Sequence, residues 1–450
     1  MIKTNRQKYV FFFIASVIMF SVAFMFNSTG YLSSESDGNF DWWSESLTYA
    51  DLLYSKEYPD ENQIFNKSLS PSKLADEYGG EWSDYENQVR LAYKNSDTNY
   101  KKSDFGDYTS NIVIQRYFFR FFDNILPISN SLKIHLFHLL NCLLFSISLS
   151  VVICWIIKVL NSFKIGISIL ALLSLFAPNL IMYGKNLYWC AWTLFLPTVV
   201  MIILLGSKWF NNSKHKILLL SIFATLSIII KCLFYFEFIS VVMISMMIPV
   251  IYYLLNLNNN HIPLKKKITF FLIISFSAVI GFLFVIAIKF FLLNSYCGNS
   301  TEAFNTLFGN LQDRLLGNTG AENSAIVESA NASFINVLRT MLQKPFVSIK
   351  SVFTITQLGA IIVSIFSSVM LFLWNKKESI LSQNNKHWII CCWVSLLAPI
   401  SWFVMAKPHT YIHNHHCSIT WFIIFDFMAL SLFGLFVSKI AGKIVNKAKQ

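Results

Sequence analysis

Three carboxylates follow the first apolar run of the chain, in the stretch SSESDGNFDWW. They are Glu35, Asp37 and Asp41, and they come soon after the run Tyr9–Phe26. Two carboxylates two residues apart can divide the work of a group transfer, one acting as base or metal ligand while the other orients the acceptor. We therefore take these three as candidate catalytic residues, against the alternative of a solvated acidic loop.

A second polar cluster is the decapeptide KPHTYIHNHH, which spans Lys407–His416. Cationic and imidazole side chains that lie together at a membrane surface suit a phosphate: lysine as a point charge, histidine as a donor or proton shuttle. A polar hairpin and a metal-binding histidine tract are the alternatives, but the regular spacing of a zinc site is missing. The candidate substrate-binding residues here are Lys407, His409, Tyr411 and His413.

Three further candidate binding residues stand at the ends of apolar runs: Lys185, Lys231 and Glu237. Ionisable side chains at membrane depth are costly, and they usually face the interior of a bundle or a cavity. Two alternatives remain open, namely that Lys231 and Glu237 pair with each other and that Lys185 extends towards the interface.

The composition places these residues in a membrane protein. Of 450 residues, 55% are hydrophobic and only 13% are charged, which leaves too little polar surface for a soluble protein of this size. The net charge of +12 is no sign of nucleic-acid binding, because half of the 36 basic residues lie in short segments between apolar runs. That distribution is typical of cytoplasmic loops. The eight cysteines show no metal-ligand spacing, so no metal site is predicted from them.

Ten apolar runs are long enough to predict an all-α bundle of about ten transmembrane helices, with both termini cytoplasmic. They are Tyr9–Phe26, Leu132–Ile157, Ile165–Tyr183, Leu187–Leu205, Ile217–Phe234, Phe238–Leu255, Ile268–Leu293, Val352–Trp374, Trp388–Ala406 and Cys417–Val437. The predicted division is an N-terminus and first helix (1–26), a large outer loop (27–131), helices two to seven (132–293), a second outer loop (294–351), and helices eight to ten with a cytoplasmic tail (352–450).

The first outer loop contains 17 of the 24 acidic residues. Apolar side chains from Trp43 to Tyr54 recur at helical spacing, with Glu45 and Asp51 on the opposite, polar face. This pattern predicts an amphipathic helix that lies along the membrane surface with its polar face in water. The segment Ile112–Leu126 predicts a second interfacial helix, with a narrow polar stripe among many phenylalanines.

This layout resembles the GT-C superfamily of polytopic glycosyltransferases, which carry a long outer loop with acids directly after the first span. The segments DYTSNIVIQRYFFRFFDNIL, GKNLYWCAWTLFLP, KCLFYFEFIS and AKPHTYIHNHH look like patches of bacterial GT-C-like proteins associated with surface polysaccharides. The resemblance implies Glu35 and Asp37 as base or metal ligands. It also implies Lys185, Lys231, Lys407 and His409 as contacts of the carrier phosphate. Whether a divalent metal ion is needed stays open, because E-x-D is not an adjacent acid pair.

The leading hypothesis is therefore a bacterial inner-membrane glycosyltransferase that acts on the outer face in assembly or modification of an O-antigen or capsule-like polysaccharide. Its partners would be the bilayer, a polyprenyl-phosphate sugar donor and a glycan or lipid-linked acceptor, with no nucleic acid. A repeat-unit polymerase is the nearest alternative, although such enzymes use arginines of a late outer loop, and arginine is scarce there. A flippase or transporter, and a non-catalytic membrane protein, are the other classes.

Overall fold

The computed structural model describes residues 2–26, 41–61, 63–69, 82–96, 100–207, 215–257, 263–317, 320, 324–349 and 352–448. Over these residues the chain is an all-α helix bundle, as predicted, with two short antiparallel ribbons at its periphery. Among these described residues, eight helical segments are long and apolar enough to cross a membrane. The protein is thus a multi-pass membrane protein whose surroundings are a lipid bilayer.

The first half of the chain supplies the first span, the layer built by the first loop, and spans two to five. In order, its elements are α1 (Ile2–Phe26), α2 (Trp42–Glu57), β1 (Asn66–Leu69), α3 (Trp82–Asn95), β2 (Phe105–Tyr108), α4 (Gln115–Ile125), α5 (Asn130–Leu160), α6 (Phe163–Phe176), α7 (Pro178–Tyr183), α8 (Trp192–Gly206) and α9 (Lys216–Phe234). β1 and β2 pair in antiparallel register, with Asn66 opposite Tyr108.

The second half supplies the remaining spans and a second group of loop helices. Its elements are α10 (Ile239–Asn256), α11 (Leu264–Cys297), α12 (Ser300–Leu315), α13 (Ser324–Asn331), α14 (Phe334–Gln343), β3 (Pro345–Ile349), β4 (Phe353–Thr356), α15 (Gln357–Glu378), α16 (Gln383–Ser395), α17 (Leu397–Met405), α18 (Lys407–Ile412), α19 (Asn414–Cys417), α20 (Ile419–Phe422) and α21 (Phe425–Ala448). β3 and β4 form the second antiparallel ribbon.

The spans connect two unlike ends of the bundle. The end that we call the loop end carries residues 41–130, 184–191, 235–238, 298–344 and 406–418 among those described. The opposite end carries the described parts of the lysine-rich connections; there Lys443 pairs with Glu378, and Lys158 Nζ donates to the carbonyl of Gly206 at 3.3 Å.

Two of the ten predicted spans are shorter than expected. The apolar part of Ile165–Tyr183 breaks at Pro178, which has no N–H and disfavours helical geometry at the residue before it, so α6 ends at Phe176. In the predicted span Leu187–Leu205, the helix α8 begins only at Trp192. Helices α6 and α8 have 14 and 15 residues, which is about 22 Å against about 30 Å of hydrocarbon. The irregular segment 184–191 between them therefore lies against protein at the loop end.

The helix predicted from the Trp43–Tyr54 pattern is α2, but its predicted orientation is wrong. Its polar face is buried: Glu45 and Asp51 are both 0% exposed. Glu45 accepts hydrogen bonds from Tyr49 and His138 at 2.8 and 2.7 Å, and Asp51 binds Arg120 through both carboxylate oxygens. The polar side chains are thus partners for other buried polar groups, and the sequence period alone could not reveal that water is absent.

Helix α4 presents its aromatic side chains outwards. Arg116 and Asp123, from the narrow polar stripe, are 1% and 3% exposed, whereas Tyr117, Phe118 and Phe121 are between 42% and 58% exposed. Lys133 Nζ reaches Asp123 Oδ1 at 2.9 Å and thereby fixes the inner face of α4 to α5. An apolar face turned away from the bundle matches the interfacial position predicted for this segment.

Candidate functional site

A cavity of about 450 Å³ lies at the loop end of the bundle. It is enclosed by segments distant in the sequence: the start of α2, the end of β2, the 184–191 segment, the α9–α10 connection, the end of α12, and helices α13, α18 and α19. A volume of this size is typical of sites that hold a small molecule or the head of a larger one. The cavity combines aromatic walls, Tyr188 and Trp189 among them, with carboxylate, guanidinium and imidazole groups.

Glu237 stands in the cavity wall as one half of a buried ion pair. Arg314 lies 2.7 Å from its Oε1, and Asn111 Nδ2 donates to both carboxylate oxygens at 3.1 Å. Lys231 Nζ supports the same turn, because it donates to the backbone carbonyls of Tyr235 and Glu237. Burial acts to raise the pKa of Glu237, but the charges of Arg314 and Lys231 outweigh it, so the pKa lies below its usual value. Glu237 is therefore an ionised anchor for Arg314 at neutral pH.

Asp41 lies at the start of α2, behind two residues of the cavity wall. Its Oδ1 accepts from the backbone N–H of Ser44 at 2.9 Å and so caps the helix. Its Oδ2 accepts from Trp189 Nε1 at 2.5 Å and lies 3.3 Å from His416 Nε2. The backbone carbonyl of Asp41 also accepts from Asn186 at 3.0 Å. These contacts fix the Asp41 carboxylate beside an imidazole that lines the cavity.

Three histidines line the cavity: His409, His413 and His416. The ring of His413 lies 4.8 Å from that of His409 and 5.7 Å from that of His416, between centroids. Burial and the neighbouring rings hold the pKa of His409 and of His416 well below the usual range, and burial also lowers the pKa of His413. All three are neutral at pH 7, so each offers one N–H donor and one lone pair.

The tautomer of His416 follows from its partner. His416 Nε2 lies 3.3 Å from a carboxylate oxygen of Asp41, and a carboxylate favours an N–H over a lone pair beside it, so we assign the proton of neutral His416 to Nε2. The lone pair then lies on Nδ1, which is buried and has no hydrogen-bond partner among the residues that the structure describes. A carboxylate that orients an imidazole, which keeps a free lone pair, is an arrangement suited to accepting a proton.

Three backbone positions around the cavity have left-handed φ values, which residues other than glycine rarely adopt. They are Val113 at 56°, Cys190 at 39° and Phe238 at 61°. Each lies next to or near a residue of the site: Val113 follows Asn111, Cys190 follows Trp189, and Phe238 follows Glu237. Backbone held in such conformations clusters at functional sites, because the surrounding structure must stabilise it against the strain.

Comparison with known proteins adds no family to this geometry. No protein-family model, no curated protein and no solved structure matches the chain. The chemistry of the cavity is therefore what points to a function.

The structure brings together some of the predicted site residues and not others. Glu237, His409 and His413 line the cavity, and Asp41 contacts its wall. Glu35 and Asp37 lie outside the described residues.

Four predicted binding residues do not line this cavity. Lys231 is fully buried and holds backbone carbonyls; Lys407 Nζ donates to the carbonyl of Ala330 at 3.3 Å; the Tyr411 hydroxyl donates to Glu328. Lys185 is half-buried, and its charge acts to lower the pKa of Glu45 instead. The reason is common to all four, since each side chain has a partner outside the cavity that the sequence does not reveal.

Several residues of the site were missed from the sequence. In the sequence, Arg314 stood out only as one of the few arginines of the second outer loop. Nothing in the local sequence marked Asn111 as a residue of the site. His416 belongs to the four-histidine tract but was not singled out. Among the residues that the structure describes, no three side chains of His, Cys, Asp or Glu are grouped so as to share a metal ion.

Proposed function

We propose that the protein is a membrane glycosyltransferase that moves a sugar from a polyprenyl-phosphate-type donor to a glycan or lipid-linked acceptor. The reaction would take place on the outer face of a bacterial inner membrane, in assembly or modification of a surface polysaccharide of the O-antigen or capsule type. One observation carries the proposal: a single cavity at the loop end of a membrane bundle combines a half-buried arginine with neutral histidines, one of which is paired with Asp41 behind the wall.

The proton-accepting half of the reaction falls to Asp41 and His416. The acceptor hydroxyl oxygen would attack the anomeric carbon and give its proton to the Asp41–His416 pair. Asp41 would then stabilise the imidazolium that forms, as a carboxylate does for an oriented histidine. Glu35 and Asp37 are the other candidates for this role, as the resemblance implies.

The leaving-group half falls to Arg314 and the remaining histidines. As the bond from the anomeric carbon to the phosphate oxygen breaks, its electron pair passes to the phosphate. Arg314 remains charged at any physiological pH, and Glu237 holds it at the cavity without occupying all its donors. The N–H groups of His409 and His413 would add neutral donors to the same developing charge.

Substitutions of His409, which lines the cavity, and of Lys407, which supports helix α13, are predicted to differ in their effect on sugar transfer. We expect His409→Ala to lower sugar transfer about tenfold at unchanged protein level, since a hydrogen bond to a charged group contributes about 1.5–3 kcal/mol. Lys407→Ala should have the smaller effect. The measurement is transfer of labelled sugar from a polyprenyl-phosphate donor by membranes that contain each variant. A larger loss for Lys407→Ala, or equal loss of level and transfer for His409→Ala, would contradict this assignment.

The orientation follows from charge and is also a prediction. Lysine-rich connections between spans mark the cytoplasmic side, so both termini should be cytoplasmic and the loop end should face outwards. Reporter fusions after Lys102 and at Gln450 are expected to report outside and inside, respectively. A cytoplasmic signal from the Lys102 fusion would rule out the outer-face reaction.

A repeat-unit polymerase is the second candidate, and one observation favours it. Arg314 comes from the second outer loop and reaches the cavity, which is the use of a late-loop arginine expected of that class. The two functions differ in product: a glycosyltransferase adds one sugar to each acceptor, whereas a polymerase yields a ladder of repeat units. Gel separation of the labelled products distinguishes them.

A further inference from the structure

A groove of about 740 Å³ lies at the end of the bundle opposite the loop end. The α5–α6 turn, the adjoining ends of α15 and α16, and the C-terminal half of α21 enclose it. The described residues that line the groove all differ from those that line the cavity. Its volume is within the range of sites that hold a small molecule or the head of a larger one. The groove is therefore a second candidate binding site, at the far end of the spans from the first.

Two lysines of α21 bring positive charge to this groove. Lys439 and Lys443 are four residues apart in one helix, so they share a face, and both line the groove. The ammonium of Lys443 contacts Glu378 and lies 4.8 Å from the centroid of the Trp374 ring. Trp374 Nε1 donates to the same carboxylate at 2.7 Å, so one acid fixes the positions of both side chains. An ammonium has three donors, so Lys443 can bind a second anion as well.

The charges of the groove do not cancel. Glu378 is the single carboxylate among the described lining residues, and it already contacts Lys443. Lys439 has no hydrogen-bond or ion-pair partner within the described ranges of the chain. The lining thus carries two ammonium groups and one carboxylate, so its net charge is positive and favours an anion.

Two helices begin at the groove and add to its positive potential. Asn161 and Ser162 line it immediately before α6 begins at Phe163, and Asn385 lines it in the first turn of α16. The first turn of a helix carries partial positive charge, which stabilises an anion nearby. The amide and hydroxyl groups of these residues and of Ser438 can also bind the hydroxyls of a ligand.

Apolar side chains next to the groove indicate that the anion belongs to a lipid. Leu373 precedes Trp374 and Ile444 follows Lys443, and the two aliphatic side chains are 57% and 63% exposed. Exposed side chains of this kind at the ends of apolar spans face the acyl chains of the bilayer. Basic pockets between the ends of transmembrane helices bind anionic lipid headgroups. A free phosphate would use the charges of the groove and none of this apolar surface.

The same lysines disfavour a zwitterionic headgroup. The ammonium or choline group of such a lipid would lie near Lys439 and Lys443, and like charges repel each other. The chemistry that fits is a phosphodiester with net negative charge and hydroxyl groups at one end, joined to apolar chains.

We propose that this groove binds one anionic phospholipid, whose phosphodiester lies between Lys439 and Lys443 while its chains cover the apolar surface of α15 and α21. The hydroxyls of its headgroup contact the polar side chains of the α5–α6 turn. Neither lysine lines the cavity, so the assignment is independent of the enzymatic function.

The test uses the full-length protein in detergent with three probes: phosphatidylglycerol, phosphatidylcholine with the same chains, and inorganic phosphate. Native mass spectrometry counts the bound lipid. We expect one copy of phosphatidylglycerol to bind about tenfold more tightly than phosphatidylcholine, because its headgroup alone has net negative charge. An excess of phosphate should leave that copy in place. Equal binding of the two lipids would overturn the assignment of an anion, and displacement by phosphate would overturn that of a lipid.

A charge variant locates the site. Lys439→Gln should weaken binding of phosphatidylglycerol about tenfold, because it removes one of the two charges that hold the phosphodiester. Its matched control, Lys376→Gln, removes an exposed lysine of α15 at the same end of the bundle but outside the groove lining, and should leave binding unchanged. Equal weakening by the two variants would reduce the effect to overall charge and overturn the location.

A space-filling variant tests the location without a change of charge. Gly442 lines the groove, and a Cβ added there has no side chain of a non-adjacent described residue within 4 Å, so Gly442→Trp can place an indole at the groove. We expect at least about tenfold weaker binding. Gly309→Trp in α12 is the matched control, since a Cβ there has the same free space and lies at the loop end. Thermal unfolding shows which variants are folded. Unchanged binding in a folded Lys439→Gln or Gly442→Trp variant would overturn the proposed location.

Discussion

Asp41→Asn is expected to lower sugar transfer by about a hundredfold to ten-thousandfold, which is the usual loss when a general base or its partner is removed. Asparagine preserves the helix cap, since it accepts the Ser44 N–H as well as aspartate does. It replaces the oxygen that faces Trp189 and His416 by a nitrogen, so the charge that orients His416 is lost. The measurement is labelled-sugar transfer at matched protein level in membranes.

The matched control for Asp41 is Asp60→Asn, because Asp60 is an exposed acid of the same loop. It should retain full transfer. Asp37→Asn and Glu35→Gln belong in the same series. Full activity in Asp41→Asn together with loss in either of those two variants would assign the base to residues 35–37. Full activity in all three would remove the first loop from the chemistry, and with it the main support for a glycosyltransferase.

Asp51→Asn is expected to destabilise the fold by about 3 kcal/mol, because it leaves the largely enclosed charge of Arg120 without its carboxylate. Asp51 accepts from Arg120 Nε at 2.7 Å and from a terminal nitrogen of the same guanidinium at 2.6 Å, and its side chain is 1% exposed. This ion pair joins α2 to α4, as does the pair of Lys56 with Asp123 at 3.2 Å. The measurement is the free energy of unfolding in mixed micelles.

The control for this pair is again Asp60→Asn, with an expected change below about 0.5 kcal/mol. The double variant Asp51→Asn/Arg120→Gln should be less unstable than the sum of the two single variants, since neither charge is then left unpaired. If Asp51→Asn lowers the free energy of unfolding as little as Asp60→Asn does, the result would restore the prediction, made from the sequence, of a helix with its polar face in water.

Hydropathy predicted the spans because an apolar run of this length has one stable arrangement in a bilayer. It could not predict the breaks at Pro178 and before Trp192, because those runs remain apolar through the irregular segment. There the Asn186 side chain accepts from the N–H groups of Tyr188 and Trp189 at 3.0 Å and favours a turn over a helix.

The candidate site was only partly predictable, for a reason of distance along the chain. The histidine tract and Glu237 consist of ionisable residue types, so the local sequence was enough to identify them as candidates. Asn111 and Arg314 belong to the site because they contact Glu237, from which they are separated by 126 and 77 residues of sequence, respectively. No spacing rule connects such positions in a chain without repeats. The same holds for Asp51, whose partner Arg120 lies 69 residues away.

The 184–192 segment has a thermodynamic consequence, because two buried amides hold the backbone that forms one wall of the cavity. Gln115 of α4 donates to the carbonyl of Tyr188 and Asn141 of α5 donates to that of Asn186, so a shift of either helix also acts on the position of Tyr188. Coupling free energy is reciprocal. Whatever the packing of the bilayer against the aromatic face of α4 does to affinity in the cavity, a ligand in the cavity must do by the same factor to that packing. The composition of the surrounding bilayer would then enter the operating affinity of the site that it surrounds.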